Sequence, residues 1–325
     1  MPIIETAALR KEFGKLVAVH GLDLSIDKAE VFGLLGPNGA GKTTTIMMLV
    51  TLLKATSGKA LVNGFDVGRE PSRVRQSLGM VFQEQTLDTL LTARENLELH
   101  ARLYGMPREL RRRRIDELLN LVDLSGRVDD PVRQFSGGMR RRLEIARGLL
   151  HRPAVLFLDE PTIGLDPQTR NRLWNYIKRV VRDEGTTVVL TTHYMEEADL
   201  MCDRVGIIDR GRIVALDRPG VLKSAIGGAI VSLRAPGADL EALRRVPGVT
   251  RVEARGDFVE AALTDAHRHL AAALAAVPQV ESVEVHSPTL DDVFLKYTGR
   301  ELRDAADGEG ESWAESMLKA DQGPR

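Results

Sequence analysis

The segment Gly36-Pro37-Asn38-Gly39-Ala40-Gly41-Lys42-Thr43 constrains the fold more than any other part of this chain. It follows the apolar run Val31-Phe32-Gly33-Leu34-Leu35 and leads into the periodic stretch Thr44-Thr45-Ile46-Met47-Met48-Leu49-Val50. Strand, glycine-rich turn and helix therefore succeed one another with the spacing G-x-x-x-x-G-K-T. Gly36, Gly39 and Gly41 let the backbone curl so that successive N–H groups point inward, where side chains would block the approach of phosphates. The helix that starts there adds free N–H groups and a positive partial charge. In such a cradle Lys42 is expected to reach the β- and γ-phosphates and the Thr43 hydroxyl to ligate Mg²⁺, with Asn38 and Thr44 also against the nucleotide. The spacing predicts a chain that binds a nucleoside triphosphate with Mg²⁺, and alone it fits kinases, GTPases, helicases and transport ATPases alike.

The length of 325 residues allows one large α/β domain and a smaller second one. A net charge of −1 gives no general reason to expect nucleic acid as a partner. Cys202 is the single cysteine, which excludes an intrachain disulfide and reads as a small core residue in a reducing compartment. Met1-Pro2-Ile3-Ile4-Glu5 has no basic stretch followed by an apolar core, so no secretory leader is expected. No run of 18 apolar residues occurs, so no spanning helix is expected and the chain reads as soluble on its own.

Residues 1–218 alternate short β-branched runs with helical patterns, the signature of a largely parallel sheet flanked by helices. Central strands are expected at Val31–Leu35, Met80–Gln83, Ala154–Leu158, Thr187–Thr191 and Arg204–Ile208. Between about residues 84 and 133 the pattern is helical only, with Thr92-Ala93-Arg94-Glu95 as a capping box and a further helix over Glu109–Val122. Arg111-Arg112-Arg113-Arg114 in that helix reads as a solvated face. Arg218-Pro219-Gly220 marks a boundary. Beyond it, residues 222–299 read strand, helix, strand, strand, helix, strand, the order of a small ferredoxin-like domain, followed by a short helix at Leu290–Tyr297. The acidic, glycine-containing tail 300–325 is expected to be disordered apart from a helical turn near Trp313.

Two further constellations narrow the chemistry. Val155-Leu156-Phe157-Leu158-Asp159-Glu160 is a buried strand ending in two carboxylates, at the edge where open α/β sheets hold ligands. Asp159 is expected to orient Mg²⁺ through water and Glu160 to act as general base for the water attacking the γ-phosphate. Phe135-Ser136-Gly137-Gly138-Met139 runs directly into the helical stretch Arg140–Leu150. Ser136 reads as its N-cap, and the bare glycine amides are free for a phosphate.

With these motifs in this order, residues from about 3 to 218 resemble the nucleotide-binding subunit of an ABC transporter. The resemblance implies a P-loop NTPase fold of α/β class, with an all-helical insert and a small C-terminal α+β ferredoxin-like domain. It further implies that two copies sandwich two ATP molecules, with Ser136, Gly137 and Gly138 of one copy on the γ-phosphate held by the other. Gln83 matches the glutamine that senses Mg²⁺ and contacts the membrane partner, and His193 matches the histidine on the γ-phosphate. Asp166 matches the loop linking the two sites, and Phe13 the aromatic that stacks on adenine. Phe135 and Met139 depart from the usual Leu-Ser-Gly-Gly-Gln, and Ile163-Gly164 stands where Ser-Ala is common; the phosphate-facing residues are intact.

Ser287-Pro288-Thr289-Leu290-Asp291-Asp292-Val293-Phe294-Leu295, like the run from Phe135 to Arg142, is similar to the daunorubicin-resistance group of exporter ATPases. That subgroup implies a homodimeric ATPase at the cytoplasmic face of the membrane, driving export of a drug or lipid-like cargo through a separate polytopic permease. The small domain could regulate, dimerise or only buttress the dimer. Two other classes fit parts of the pattern. A soluble relative acting on ribosomes or DNA usually carries two cassettes per chain or a long coiled-coil insertion, and neither is present. A nucleotide-dependent switch with little turnover would need no general base.

Overall fold

The computed structural model describes residues 2–277 and 279–299, and the tail reading, Trp313 included, lies outside them. The chain divides between Leu216 and Asp217 into two compact units.

The first unit opens with two long strands, β1 (Ile4–Phe13) and β2 (Leu16–Ile26), joined at Gly14-Lys15. Strand β3 (Val31–Leu35) is buried at every position and feeds helix α1 (Lys42–Leu49). Strands β4 (Ser57–Val62) and β5 (Phe65–Asp66), helix α2 (Pro71–Ser77) and strand β6 (Leu78–Val81) follow. The helical segment holds α3 (Ala93–Leu103) and α4 (Arg108–Leu121), and α5 (Gly137–Leu149) starts directly after it. The unit closes with β7 (Val155–Asp159), α6 (Pro167–Glu184), β8 (Thr187–Thr192), α7 (Met195–Met201), β9 (Arg204–Asp209) and β10 (Arg212–Asp217).

A six-stranded sheet in the order β10-β9-β3-β8-β7-β6 forms the centre. The pairings of β3 with β8 and β9, of β7 with β8 and of β6 with β7 are all parallel. Strands β7 and β8 are buried along their whole length, as expected of a sheet covered on both faces. All five expected central strands are present with small shifts. One shift matters for function: β6 spans Leu78–Val81 rather than Met80–Gln83, so Gln83 lies in the loop beyond the strand. Cys202 is buried, and burial pushes its thiol well above the ordinary range, so it packs as a core residue.

The reading of one largely parallel sheet missed a second layer. Strands β2-β1-β4-β5 form a separate four-stranded sheet in which the pairings are antiparallel. Its strands carry charged residues such as Arg10, Lys11 and Glu12, and register shifts interrupt the β1–β2 ladder between Thr6 and Leu9 and again near Lys11. Those bulges break the strict two-residue alternation by which such strands are recognised.

The helical segment is closed at its base by Val132 N donating to Leu91 O (2.9 Å) and Arg133 N to Thr89 O (2.9 Å). Thr92 and Glu95 form the expected capping box at α3. The arginine run on α4 is not the solvated face that its composition suggested. Arg114 is buried and donates to Glu184 (2.7 Å) and Leu149 O (3.2 Å), and Arg111 pairs with Glu98 at 2.8 Å. Only Arg112 and Arg113 face water, because positions three apart in a helix lie on one side and Arg111 and Arg114 share the packed one.

The second unit begins with α8 (Pro219–Ser224), Pro219 taking the first helical position after Arg218. It continues through β11 (Ala229–Arg234), α9 (Leu240–Arg244), β12 (Val249–Arg255), β13 (Phe258–Leu263), α10 (Ala266–Ala275), β14 (Ser282–His286) and α11 (Leu290–Thr298). The sheet order β12-β13-β11-β14 is antiparallel and gives the expected ferredoxin-like arrangement. Val231, Leu233, Leu243, Val259 and Leu263 form its own core.

Candidate active site

Because β3, β8, β7 and β6 are parallel neighbours, their C-terminal ends share one sheet edge. From that edge emerge, in spatial order, Gly36 after β3, His193 after β8, Asp159 and Glu160 at β7, and Gln83 beyond β6. Residues up to 157 positions apart in sequence therefore meet through strand register alone, with Leu35 opposite Thr192 and Thr191 opposite Asp159.

The glycine-rich turn is packed tightly from behind. A Cβ on Gly36 would lie 2.2 Å from Ile208 O, and one on Gly41, at φ +103°, would lie 2.7 Å from Ala18 O. Side chains are thus excluded on the protein side while Asn38 and Gly39 face solvent. Lys42 is buried, and its Nζ donates to Gly36 O (2.7 Å) and Pro37 O (2.9 Å). Burial pulls the Lys42 ammonium below its ordinary range, while Glu160 and Asp159 nearby oppose that shift. Thr43 and Thr44 are half-buried in the first turn of α1, and Thr45 is fully buried with its hydroxyl on Gly41 O (2.8 Å).

Thr191, a buried residue of β8 that sequence reasoning did not single out, organises the two carboxylates. Its hydroxyl donates to Asp159 Oδ1 at 2.5 Å and accepts from the Glu160 amide at 3.0 Å. Burial raises the Asp159 carboxyl, and the Thr191 hydrogen bond offsets only part of that. Glu160 sits at φ +46°, a left-handed conformation that costs about 1–2 kcal/mol for a residue with a Cβ. Its Oε2 lies 3.3 Å from His193 Nδ1, although that ring nitrogen has no partner at hydrogen-bond angles. Burial pushes the Glu160 carboxyl up, but His193, Lys42 and Arg141 together outweigh it and hold the group below its usual value of 4.5.

The remaining expected residues lie apart from this cluster. Ser136 caps α5, accepting from Met139 N at 3.3 Å, and both Ser136 and Gly137 are exposed. Phe135 is buried where the usual leucine would be, so the departure there is a core exchange. Asp166 is exposed and caps α6 through Thr169 N (3.0 Å) and Thr169 Oγ1 (2.6 Å), which hold its carboxyl below the ordinary range. Gln83 is exposed in its loop, and Phe13 is half-buried at the end of β1 with Lys11 Nζ 4.9 Å from its ring centre. A cleft bordered by Lys28, Arg152 and Glu184 and another among the arginines and glutamates of α3 and α4 contain none of these residues.

Residues 19–163 match the model of the ABC transporter family. The chain is 39% identical over 312 residues to the linearmycin resistance ATP-binding protein LnrL of Bacillus subtilis, covering 93% of this chain and all of the relative. It belongs to the ABC transporter ATP-binding proteins. Residues 219–298 match the C-terminal domain model of ATP-binding proteins like DrrA1-3. The daunorubicin resistance ATP-binding protein DrrA2 of Streptomyces coeruleorubidus is 41% identical over 306 residues, covering 91% of this chain and 95% of that one. Among solved structures, a dimeric ATP-binding cassette in a post-hydrolysis state with ADP and Pi superposes with a TM-score of 0.61 at 28% identity, covering 66% of this chain and 98% of the other. This ABC ATPase is therefore a nucleotide-hydrolysing enzyme of daunorubicin-resistance type. Among the described residues no helix is long and apolar enough to cross a membrane.

Proposed function

We propose that this ABC ATPase is the motor of an exporter, working as a homodimer at the cytoplasmic face of the membrane and driving a drug or lipid-like cargo through a separate polytopic permease. One chain carries one phosphate cradle and one Ser136-Gly137-Gly138 segment, with Ser136 and Gly137 exposed, on helices α1 and α5 that pack against different elements, so a second copy completes the site. Names such as linearmycin resistance and daunorubicin resistance among the relatives support a drug-like cargo.

The observation that carries the reading is the Thr191 hydroxyl fixing Asp159 and Glu160 together, beside Lys42. In this reading Glu160 Oε takes the proton of the attacking water as its oxygen bonds to the γ-phosphorus, and the bond to the ADP oxygen breaks. A carboxyl held below 4.5 is ionised at neutral pH and ready to accept that proton. Lys42 and the amides from Asn38 to Thr43 hold the transferring phosphoryl group, His193 lies against it, and Gly137 and Gly138 of the second copy close over it. Thr43, Gln83 and Asp159 would hold Mg²⁺, which neutralises charge on the β- and γ-oxygens when bound. The donor set fits that ion: a hydroxyl, an amide oxygen and one carboxylate are all hard oxygen donors, and Mg²⁺ keeps waters and phosphate oxygens beside one or two carboxylates.

Glu160→Gln tests the reading. Turnover is expected to fall by roughly 10²–10⁴-fold while ATP binding persists, and the purified variant should dimerise on adding ATP. Near-normal hydrolysis would remove Glu160 from the base role. Purification of the chain from detergent-solubilised membranes with a polytopic protein at equal stoichiometry supports the exporter; recovery with ribosomes or DNA would refute it.

A further inference from the structure

Helix α5 carries a second set of contacts that the nucleotide reading leaves unused. Arg141, buried in its second turn, spends every guanidinium nitrogen on the rim of the active site. Nε donates to Pro161 O (3.0 Å), Nη2 to Asp159 O (2.8 Å) and Glu160 O (3.1 Å), and Nη1 to Phe82 O and to Glu144 Oε2 (3.3 Å). Glu144, fully buried one turn on, accepts from Thr86 N at 2.7 Å. Arg147, a further turn along, donates to Thr86 O at 2.9 Å. One face of α5 thus grips the main chain on both sides of Gln83 and on both sides of Glu160.

A buried ion pair is weak evidence for stability, since apolar residues of similar volume often do as well. Here the donors go mainly to carbonyls rather than to the opposite charge, and only a planar guanidinium with five N–H groups can reach four peptide groups at once. The same helix begins at Ser136-Gly137, about 6 Å from Arg141 at 1.5 Å rise per residue. We propose that Arg141, braced by Glu144, is a positioning residue that locks the main chain of Glu160 and of the Gln83 loop to α5, so that the catalytic carboxylate and the glutamine move as one body with the Ser136 end of the helix. The proposal deepens the motor reading and rests on Glu160 being the base.

The test measures ATPase kinetics, affinity for a fluorescent ATP analogue and thermal melting of Arg141→Gln, Arg141→Lys and Glu144→Gln in the full chain, with Glu160→Gln alongside. Both Arg141 variants should lose roughly 10–100-fold in kcat, the scale of a 1 Å misplacement, with nucleotide affinity within about threefold. Glu144→Gln should lower kcat several-fold with affinity unchanged, and it decides the matter if the Arg141 variants do not fold. Full activity in Arg141→Lys, or affinity and melting temperature falling in step with kcat, overturns the positioning role. Normal turnover in Glu160→Gln would instead show that the base assignment had failed.

Discussion

Replacing Thr191 by Val removes one hydroxyl and almost no volume from a fully buried site, so its effect isolates two hydrogen bonds. The bond to Asp159 Oδ1 at 2.5 Å is to a carboxylate and is worth about 1.5–3 kcal/mol; the one from the Glu160 amide at 3.0 Å is neutral and worth about 0.5–1.5 kcal/mol. Stability should therefore fall by about 2–4 kcal/mol, read from the urea midpoint of the nucleotide-free protein. The Asp159 carboxyl, already raised by burial, loses a group that pulls it down and moves higher. A carboxyl raised in the folded state makes the fold bind protons more tightly than the unfolded chain. Its stability deficit therefore grows as pH rises from the ordinary value of 3.8 towards the folded value, and the variant should show the steeper loss. Glu160, held at φ +46° partly by its amide bond, is freed to relax, and kcat should fall by roughly 10–100-fold. Thr191→Ser keeps the hydroxyl and should retain turnover. A Thr191→Val protein within about 0.5 kcal/mol of the parent and with unchanged kcat would refute the claim that this hydroxyl organises both carboxylates.

Asp159→Asn should raise the melting temperature of the nucleotide-free protein at pH 7 while abolishing hydrolysis, because it removes a charge that burial disfavours; a lower melting temperature would count against that account. Gly41→Ala places a Cβ 2.7 Å from Ala18 O at φ +103°, and the cradle must shift to admit it. Nucleotide affinity measured by calorimetry is expected to weaken by at least tenfold, on the scale of about 1–3 kcal/mol for such strain.

Much of the site was legible because its parts are local. The cradle needs glycines at fixed offsets and a lysine at a helix start, and all of these sit within eight consecutive positions. Asp159 and Glu160 announce themselves as charges ending an apolar strand. Thr191 gave no such signal: a threonine in Thr187-Val188-Val189-Leu190-Thr191 reads as an ordinary β-branched strand residue, and its partners are 31 and 32 positions away. Arg141 and Glu144 did leave a trace, a charged pair three apart on the side of α5 that also buries Ile145 and Gly148, but nothing in the sequence says what such a pair holds. Arg111 and Arg114, read as part of a solvated face, were misjudged. In both helices the arginine head finds carbonyls or a carboxylate under the surface, and sequence alone shows the stem but not the destination.

These hidden residues explain why the recognisable ones are insufficient by themselves. Asp159 and Glu160 belong to β7, yet the hydroxyl that fixes them comes from β8 and the guanidinium that holds their carbonyls comes from α5. Lys42 on α1 supplies charge but no direct brace to either carboxylate; its nitrogen is committed to the cradle's own carbonyls. Position at the sheet edge is therefore set by neighbours on both sides of β7, one through strand register and one through a helix that begins at the exposed Ser136. Each brace reaches both residues: Arg141 holds the carbonyls of Asp159 and Glu160, and Thr191 holds the Asp159 carboxylate and the Glu160 amide. A displacement of α5 is therefore felt at the whole Asp159-Glu160 corner and at Phe82 beside Gln83, and Thr191 transmits it to β8.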